Sequence, residues 1–149
     1  MSGVPDALYN RDILRLAASI PHQRRLDRPM ASVEKSSPVC GSRVTVDVVT
    51  DGEGRVKDLG QEVRACALGQ ASASLMAAHI LGRTAGEIAE ARDALADYLT
   101  GGREDPGDWP GLAVFDHARR FQARHASILL AFQAAAEAAS RAAEEHSRS

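Results

Sequence analysis

The spacing of apolar residues changes twice along the chain and divides it into one helix, a strand region and a second helical region. Between residues 5 and 20, apolar side chains recur at helical spacing, which predicts a first helix that Pro21 ends. From residue 30 to residue 65 the period falls to about two, which is typical of half-buried strands. After Cys66 the helical spacing returns and continues toward the end of the chain.

The strand region predicts a small antiparallel sheet of three strands. Residues 44–49 largely alternate valine with polar side chains, as a strand with one buried face does. The sequence DGEG at residues 51–54 is a strong turn signal, and residues 56–65 then return as a partner strand. Gly60 within that partner strand suggests a bulge, and a shorter strand is expected within residues 31–35.

The second helical region predicts at least three helices. Residues 70–81 are rich in alanine and serine, which permits close packing against neighbours, and Gly82 ends that helix. Thr84 and Glu87 have the spacing of a capping box, which predicts the start of the next helix. The apolar face of this next helix consists of Ile88, Ala91, Leu95 and Tyr98, and Glu90, Asp93 and Asp97 cover its other face.

A loop around Trp109 separates this helix from a last one, which has apolar residues at 128, 129, 132 and 136. Residues 137–149 are expected to form a polar tail, either helical or frayed. The order of one helix, three strands and further helices predicts a single α+β domain over residues 1–149. In this fold the helices pack on one face of the small antiparallel three-stranded sheet.

Composition and charge exclude several classes of function. A net charge of −2 and an aromatic content of 4% argue against a nucleic-acid partner, since phosphate contacts need a basic surface and base stacking needs aromatic rings. No apolar stretch approaches the about 20 residues of a membrane span. Residues 1–12 do not resemble a secretory signal, so we expect a cytoplasmic protein.

The two cysteines carry the candidate chemistry. Cys40 lies in the string PVCG, residues 38–41, and Cys66 opens the string CALGQASASLM, residues 66–76. In a reducing compartment two cysteines indicate thiol or metal chemistry and not a disulfide framework. Each alone could be a small apolar residue near the sheet edge. No motif for enzymatic catalysis accompanies them, so an enzyme is not expected.

These strings resemble the U-type iron–sulfur cluster assembly scaffolds, the NifU, IscU and SufU group. Cys40 matches the first cysteine turn of that group, and Cys66 with the Ala-Ser run that follows it matches the second cysteine site. Residues 122–129 resemble the third site, where Ser127 stands in place of the cysteine. The separation of 61 residues between Cys66 and Ser127 is SufU-like, and residues 100–121 would be the corresponding insertion.

The resemblance implies that Cys40 and Cys66 converge at one end of the sheet, where they are the ligands of a metal or cluster site. Ser42 stands where the family has an aspartate, so Ser42 and Ser127 are weaker candidates, as is His125 two residues before Ser127. A serine hydroxyl keeps its proton at neutral pH and is a poor ligand for zinc or iron, whereas a thiolate or a carboxylate arrives charged. A closed zinc site needs four ligands, of which the two cysteines supply two.

The leading function that the resemblance implies is a cluster assembly scaffold or carrier. It would receive sulfur from a cysteine desulfurase, hold iron or a transient [2Fe–2S] cluster, and pass this cargo to acceptor apoproteins. A weaker possibility is a zinc-dependent sulfur acceptor. The alternative from another class is a degenerate scaffold fold that binds no metal and serves as a structural or interaction subunit of a larger iron–sulfur complex.

Overall fold

The computed structural model describes residues 10–38 and 41–148. In chain order its elements are α1 (Arg11–Ala18), β1 (Ala31–Ser37), β2 (Ser42–Thr50), β3 (Val56–Arg64), α2 (Ala67–His79), α3 (Ala85–Leu99), a 3₁₀ helix (Leu112–Arg120) and α4 (Gln122–Arg148). Residues 5–9 of the predicted first helix lie outside the described residues. In the described part of the chain, α1 begins after Asn10, whose side chain accepts a hydrogen bond from the Ile13 amide and so caps the helix.

The three strands form one antiparallel sheet in the order β1-β2-β3, which confirms the predicted architecture. The β1–β2 hairpin closes at the pair Ser37 and Ser42, so β1 is two residues longer than predicted. The predicted turn connects β2 to β3, and its Asp51 carboxylate accepts hydrogen bonds from the amides of Glu53 and Arg55. These hydrogen bonds hold the pKa of Asp51 below its ordinary value.

The predicted bulge at Gly60 is wrong. Gly60 pairs regularly with Asp47, and the shift of register lies between Val49 and Thr50 instead. The glycine has a different role, because a Cβ atom at this position would collide with the carbonyl oxygen of Arg24. The connector of residues 21–28 passes directly over β3 at this point, and only a residue without a side chain leaves it room.

Asp47 anchors this connector to the outer face of the sheet. Its wholly buried carboxylate accepts hydrogen bonds from the Arg25 guanidinium at 2.8 Å, from the Leu26 amide at 2.9 Å and from the Ser32 hydroxyl. Burial opposes ionisation of Asp47, but the hydrogen bonds from Arg25, Ser32 and Leu26 outweigh it and hold its pKa below the ordinary value. Arg25 therefore has a structural role, because it holds the connector of residues 21–28 against the sheet.

The helices cover the other face of the sheet. Helix α4 packs against β1 and β2 and also against α2 and α3, while α1 packs on α2. The alternating valines of β2, Val44, Val46 and Val48, are wholly buried on this side. Burying three such side chains contributes about 1.5–3 kcal/mol each relative to exposure. This packing fixes the start of α4 against the end of the sheet at which β2 begins.

Two local predictions for α3 are confirmed. The Thr84 hydroxyl accepts a hydrogen bond from the Glu87 amide, and the Glu87 carboxylate accepts one from the Thr84 amide, which forms the predicted capping box. The predicted apolar face is buried and the predicted acidic face is exposed. Within the described ranges, no helix has the length and apolar character needed to cross a membrane.

The loop around Trp109 folds back onto the helices. The indole nitrogen of Trp109 donates a hydrogen bond to the Leu75 carbonyl at 2.9 Å, and its ring meets the Phe132 ring edge-on with 5.3 Å between centroids. The 3₁₀ helix that follows was not predicted. Helix α4 begins at Gln122, inside the segment that resembles the third cysteine site, and continues to Arg148.

Candidate functional site

Three polar side chains from three different elements meet at one end of the sheet. Ser42 is the first residue of β2, Cys66 is the N-cap of α2, and Ser127 lies near the start of α4. The Ser127 hydroxyl oxygen is 3.0 Å from the Ser42 hydroxyl oxygen and 3.3 Å from the Cys66 sulfur. The structure thus brings Cys66 together with Ser42 and Ser127, the two serines that stand where the family has an aspartate and a cysteine.

Burial differs across this cluster. Ser127 is 1% exposed and Ser42 is 2% exposed, whereas Cys66 is only partly buried. The two buried hydroxyls therefore form the floor of the cluster, and Cys66 is its most exposed residue. Cys66 also precedes the first turn of α2, where free backbone N–H groups carry partial positive charge and no acidic side chain is present.

The close approach of α2 and α4 depends on a glycine that sequence reasoning missed. A Cβ atom at Gly69 would lie 2.7 Å from the Ser127 hydroxyl oxygen and 3.2 Å from the Ser127 carbonyl oxygen. One turn further along α2, the Ser72 hydroxyl donates a hydrogen bond to the Ile128 carbonyl. The small-residue run after Cys66 was the signal for this contact, because small side chains let two helix backbones approach.

Cys40 lies outside the described residues. The two residues that follow it are described: the Gly41 amide donates a hydrogen bond to the Ser37 carbonyl at 2.8 Å, and Ser42 is part of the cluster. Gly41 has φ +71°, a left-handed conformation that suits glycine in this tight connection. The convergence of the Cys40 and Cys66 sulfurs stays a prediction, and the position of Ser42, two residues after Cys40, supports it.

His125 makes backbone contacts in this structure. It is 8% exposed, and its Nε2 atom lies 3.0 Å from the Ala118 carbonyl oxygen and 3.2 Å from the Arg119 carbonyl oxygen. Both neighbours are hydrogen-bond acceptors, so this nitrogen carries a proton and donates it. His125 thereby ties the start of α4 to the end of the 3₁₀ helix.

The donor atoms present do not complete a metal site without Cys40. Across residues 10–38 and 41–148, no group of three or more histidine, cysteine, aspartate or glutamate side chains is placed to hold a metal ion. The described cluster consists of one thiol and two hydroxyls. Since a hydroxyl remains protonated at neutral pH, Cys66 is its one effective ligand for iron or zinc.

The fold and this cluster define a class of protein: a small α+β domain whose three-stranded sheet ends in a cysteine-centred cluster. The chain belongs to the family described as the NifU-like N terminal domain, whose family model matches residues 8–106. This confirms the resemblance seen in the two cysteine strings. The matched region contains Cys40, Ser42 and Cys66 and ends before Ser127.

Individual relatives extend the similarity over nearly the whole chain. The iron–sulfur cluster assembly scaffold protein IscU of Thermotoga maritima is 28% identical over 131 residues, which are 88% of this chain and 92% of that protein. The crystal structure of a nitrogen-fixing NifU-like protein from Brucella abortus, N-terminal part, is 39% identical, with a TM-score of 0.87 over 93% of this chain and 96% of that one.

A third relative is similar in fold alone. FiSufU, a protein of the SUF system from Fervidobacterium islandicum, superimposes with a TM-score of 0.83 over 91% of this chain and 99% of its own, at 21% identity. At 91–93% coverage, the two structural comparisons reach well beyond residue 106, where the family model ends. The predicted α+β scaffold fold is therefore confirmed.

Proposed function

We propose that this protein is an iron–sulfur cluster assembly scaffold or carrier. Membership of the NifU-like family and similarity to the IscU scaffold protein of Thermotoga maritima support the proposal. The observation that carries it is the meeting of Ser42, Ser127 and Cys66 at one end of the sheet. Three elements meet at one cysteine sulfur, at the positions to which the resemblance assigns the ligands of the family.

Cys40 and Cys66 are the proposed thiolate ligands and sulfur acceptors. The partners are a cysteine desulfurase as sulfur donor and apoproteins as acceptors. Sulfur would arrive as a persulfide of the donor: the Cys66 thiolate attacks the outer sulfur, a new S–S bond to Cys66 forms, the donor's S–S bond breaks, and the donor leaves as a thiolate. This transfer requires the Cys66 sulfur to reach the donor, and the partial exposure of the Cys66 residue supports it.

An incomplete ligand set suits a carrier. Two thiolates from this chain would hold iron or a [2Fe–2S] cluster, and the remaining coordination positions would belong to a partner or to a small thiol. A [2Fe–2S] cluster takes four ligands, and this chain would supply two of them, so an acceptor could replace the other two before it displaces Cys40 and Cys66. Zinc is a less suitable cargo, since a stable zinc site wants four ligands from the protein itself.

One observation favours the second candidate, a degenerate scaffold that acts as a structural subunit of an iron–sulfur complex. The Ser42 and Ser127 hydroxyls are hydrogen-bonded to each other and buried, so the floor of the cluster is satisfied without a metal ion. Such a subunit would co-purify in a stable stoichiometric complex. Changing both cysteines to serine would leave that complex intact.

Metal and sulfide analysis of protein purified without oxygen separates the two candidates. We expect iron and sulfide in the wild-type protein and their loss in Cys40→Ser and Cys66→Ser. Ser72→Ala is a matched control, because it removes a buried hydroxyl from the same α2–α4 interface without touching the Cys66 sulfur. Iron retained by both cysteine variants would show that neither thiol is a ligand and would overturn the proposal.

A further inference from the structure

Ser127 occupies the centre of the cluster. Its hydroxyl oxygen lies between the Ser42 hydroxyl oxygen at 3.0 Å and the Cys66 sulfur at 3.3 Å. Gly69 faces the same oxygen, and a side chain there would push it aside. The lack of a side chain at Gly69 therefore leaves room for the Ser127 hydroxyl beside the sulfur, where its hydrogen bonds hold it.

Proton counting limits what this hydroxyl can do. A serine hydroxyl has one proton to donate and two lone pairs that accept. While Cys66 is a thiol, the chain of hydrogen bonds can run from the sulfur to Ser127 and on to Ser42. Once the sulfur has exchanged its proton for iron, it can only accept, so the chain must run the other way, from Ser42 to Ser127 to the Cys66 sulfur.

We propose that Ser127, supported by Ser42, is a positioning residue that donates a hydrogen bond to the Cys66 sulfur when that sulfur carries iron or a cluster. The inference rests on the proposed function for its cargo, whereas the contact itself is present without cargo. Ser127 then stands at a ligand position of the family but acts on the ligand sulfur, not on the metal.

The hydrogen bond has an electronic consequence for a bound cluster. Hydrogen bonds to the ligating sulfurs are among the features that set the reduction potential of an iron–sulfur cluster, because they draw negative charge away from the sulfur. A reduced cluster carries more negative charge than an oxidised one, so a donor at Cys66 favours reduction. Removal of the Ser127 hydroxyl is therefore expected to lower the potential.

Spectroelectrochemical titration of the reconstituted full-length protein measures this effect. We expect a lower cluster potential in Ser127→Ala and also in Gly69→Ala, which leaves the hydroxyl present but crowds it from 2.7 Å. Ser72→Ala, which removes a buried hydroxyl bonded to the Ile128 carbonyl, is the control and should match the wild-type protein. An unchanged or raised potential in Ser127→Ala would overturn the inference.

A second measurement does not depend on cargo. In a Cys40→Ser background Cys66 is the one remaining thiol, and its S–H stretching band is observed by infrared spectroscopy on the apoprotein. We expect the band to move to higher frequency in Ser127→Ala, because a hydrogen bond is lost, and to stay in place in Ser72→Ala. A band that does not move would show that the Cys66 S–H does not donate to the Ser127 hydroxyl in the apoprotein, which would contradict a chain that runs from the sulfur to Ser127 and on to Ser42.

The two measurements separate the inference from the proposed function. A wild-type protein that binds neither iron nor a cluster would overturn the function, and the infrared band would still decide whether the Cys66 S–H donates to the Ser127 hydroxyl in the apoprotein. A protein that binds a cluster whose potential is insensitive to Ser127 would keep the function and overturn the positioning role.

Discussion

At the scale of single residues, the difference between a hydroxyl and a thiol at position 127 decides what the cluster can hold. The three donor atoms of Ser42, Cys66 and Ser127 lie 3.0–3.3 Å apart along the chain of contacts. Ligand atoms around a tetrahedral zinc ion, with bonds of 2.0–2.3 Å, are separated by about 3–4 Å. These two separations fall within the range of neighbouring zinc ligands, but two of the three donors are protonated hydroxyls, which are poor ligands.

Ser127→Cys is expected to raise the affinity for Zn²⁺ by about tenfold or more. Single substitutions around a metal site typically change metal affinity by this factor. The new thiol would lie beside Cys66 and can lose its proton to the metal, which the hydroxyl does not. Combining it with Ser42→Asp should raise the affinity further, because a carboxylate arrives charged. Competition with a chromophoric chelator measures both affinities.

Ser72→Cys is the matched control for this gain. It also places a thiol between α2 and α4, but at a hydroxyl position bonded to the Ile128 carbonyl and not to the Cys66 sulfur. Its zinc affinity should stay at the wild-type level. Equal zinc affinity in Ser127→Cys and Ser72→Cys would show that position 127 is not part of a ligand set.

At the scale of elements, the connector over the outer face of the sheet depends on Asp47 of β2. The carboxylate binds Arg25, Leu26 and Ser32, and its pKa lies below the ordinary value. Because the folded protein holds this group ionised, its contribution to stability is present above the ordinary aspartate pKa of about 3.9 and is lost as the pH falls through the lowered value.

Asp47→Asn should reduce the free energy of unfolding at neutral pH by about 1–3 kcal/mol, the cost of weakening charge-assisted hydrogen bonds. Arg25 is about half exposed, which argues for the lower part of that range. The deficit against the wild-type protein should shrink below about pH 4. Urea unfolding at several pH values measures it, with the exposed Asp97→Asn on α3 as control. A deficit that is constant from pH 7 to low pH would contradict this account.

Gly60→Ala tests the passage of the connector over β3. The added methyl group would collide with the Arg24 carbonyl, so we expect a loss of about 1–3 kcal/mol of stability, as for other overpacked positions. Gly86→Ala in the first turn of α3 meets only the Thr84 hydroxyl at 3.8 Å and should be neutral or stabilising. Thermal unfolding of the two variants compares them directly. Equal stability of the two would show that the connector can move aside.

At the scale of the whole molecule, the features that could be predicted are those encoded by neighbours in the chain. The β2–β3 hairpin follows from valine alternation around a DGEG turn, and the start of α3 follows from a capping box four residues long. Gly60 shows the limit of such local rules. A glycine in a strand suggested a bulge, but its cause is a backbone contact with residue 24, which no local pattern contains.

The candidate cluster depends on contacts that are distant in sequence. Ser42 and Ser127 are 85 residues apart, and periodicity alone gives no reason to pair them. Their pairing was expected only through the resemblance to U-type scaffolds. The Arg25–Asp47 contact was also not predicted, because the two residues are 22 positions apart. In addition, an aspartate on the polar face of a strand is ordinarily solvated. The 3₁₀ helix was missed although its buried residues Leu112, Phe115 and Ala118 recur every third residue, because it is only 9 residues long and follows a loop rich in glycine and proline.

X-ray absorption at the iron K edge tests most directly whether two cysteine sulfurs converge on one cargo site. In protein loaded with ferrous iron without sulfide, every sulfur neighbour of the iron must come from the protein. If Cys40 and Cys66 both bind the iron, each iron has two sulfur neighbours in the wild-type protein and fewer in Cys66→Ser. Ser72→Ala should match the wild-type protein. Iron surrounded only by oxygen and nitrogen in the wild-type protein would contradict it.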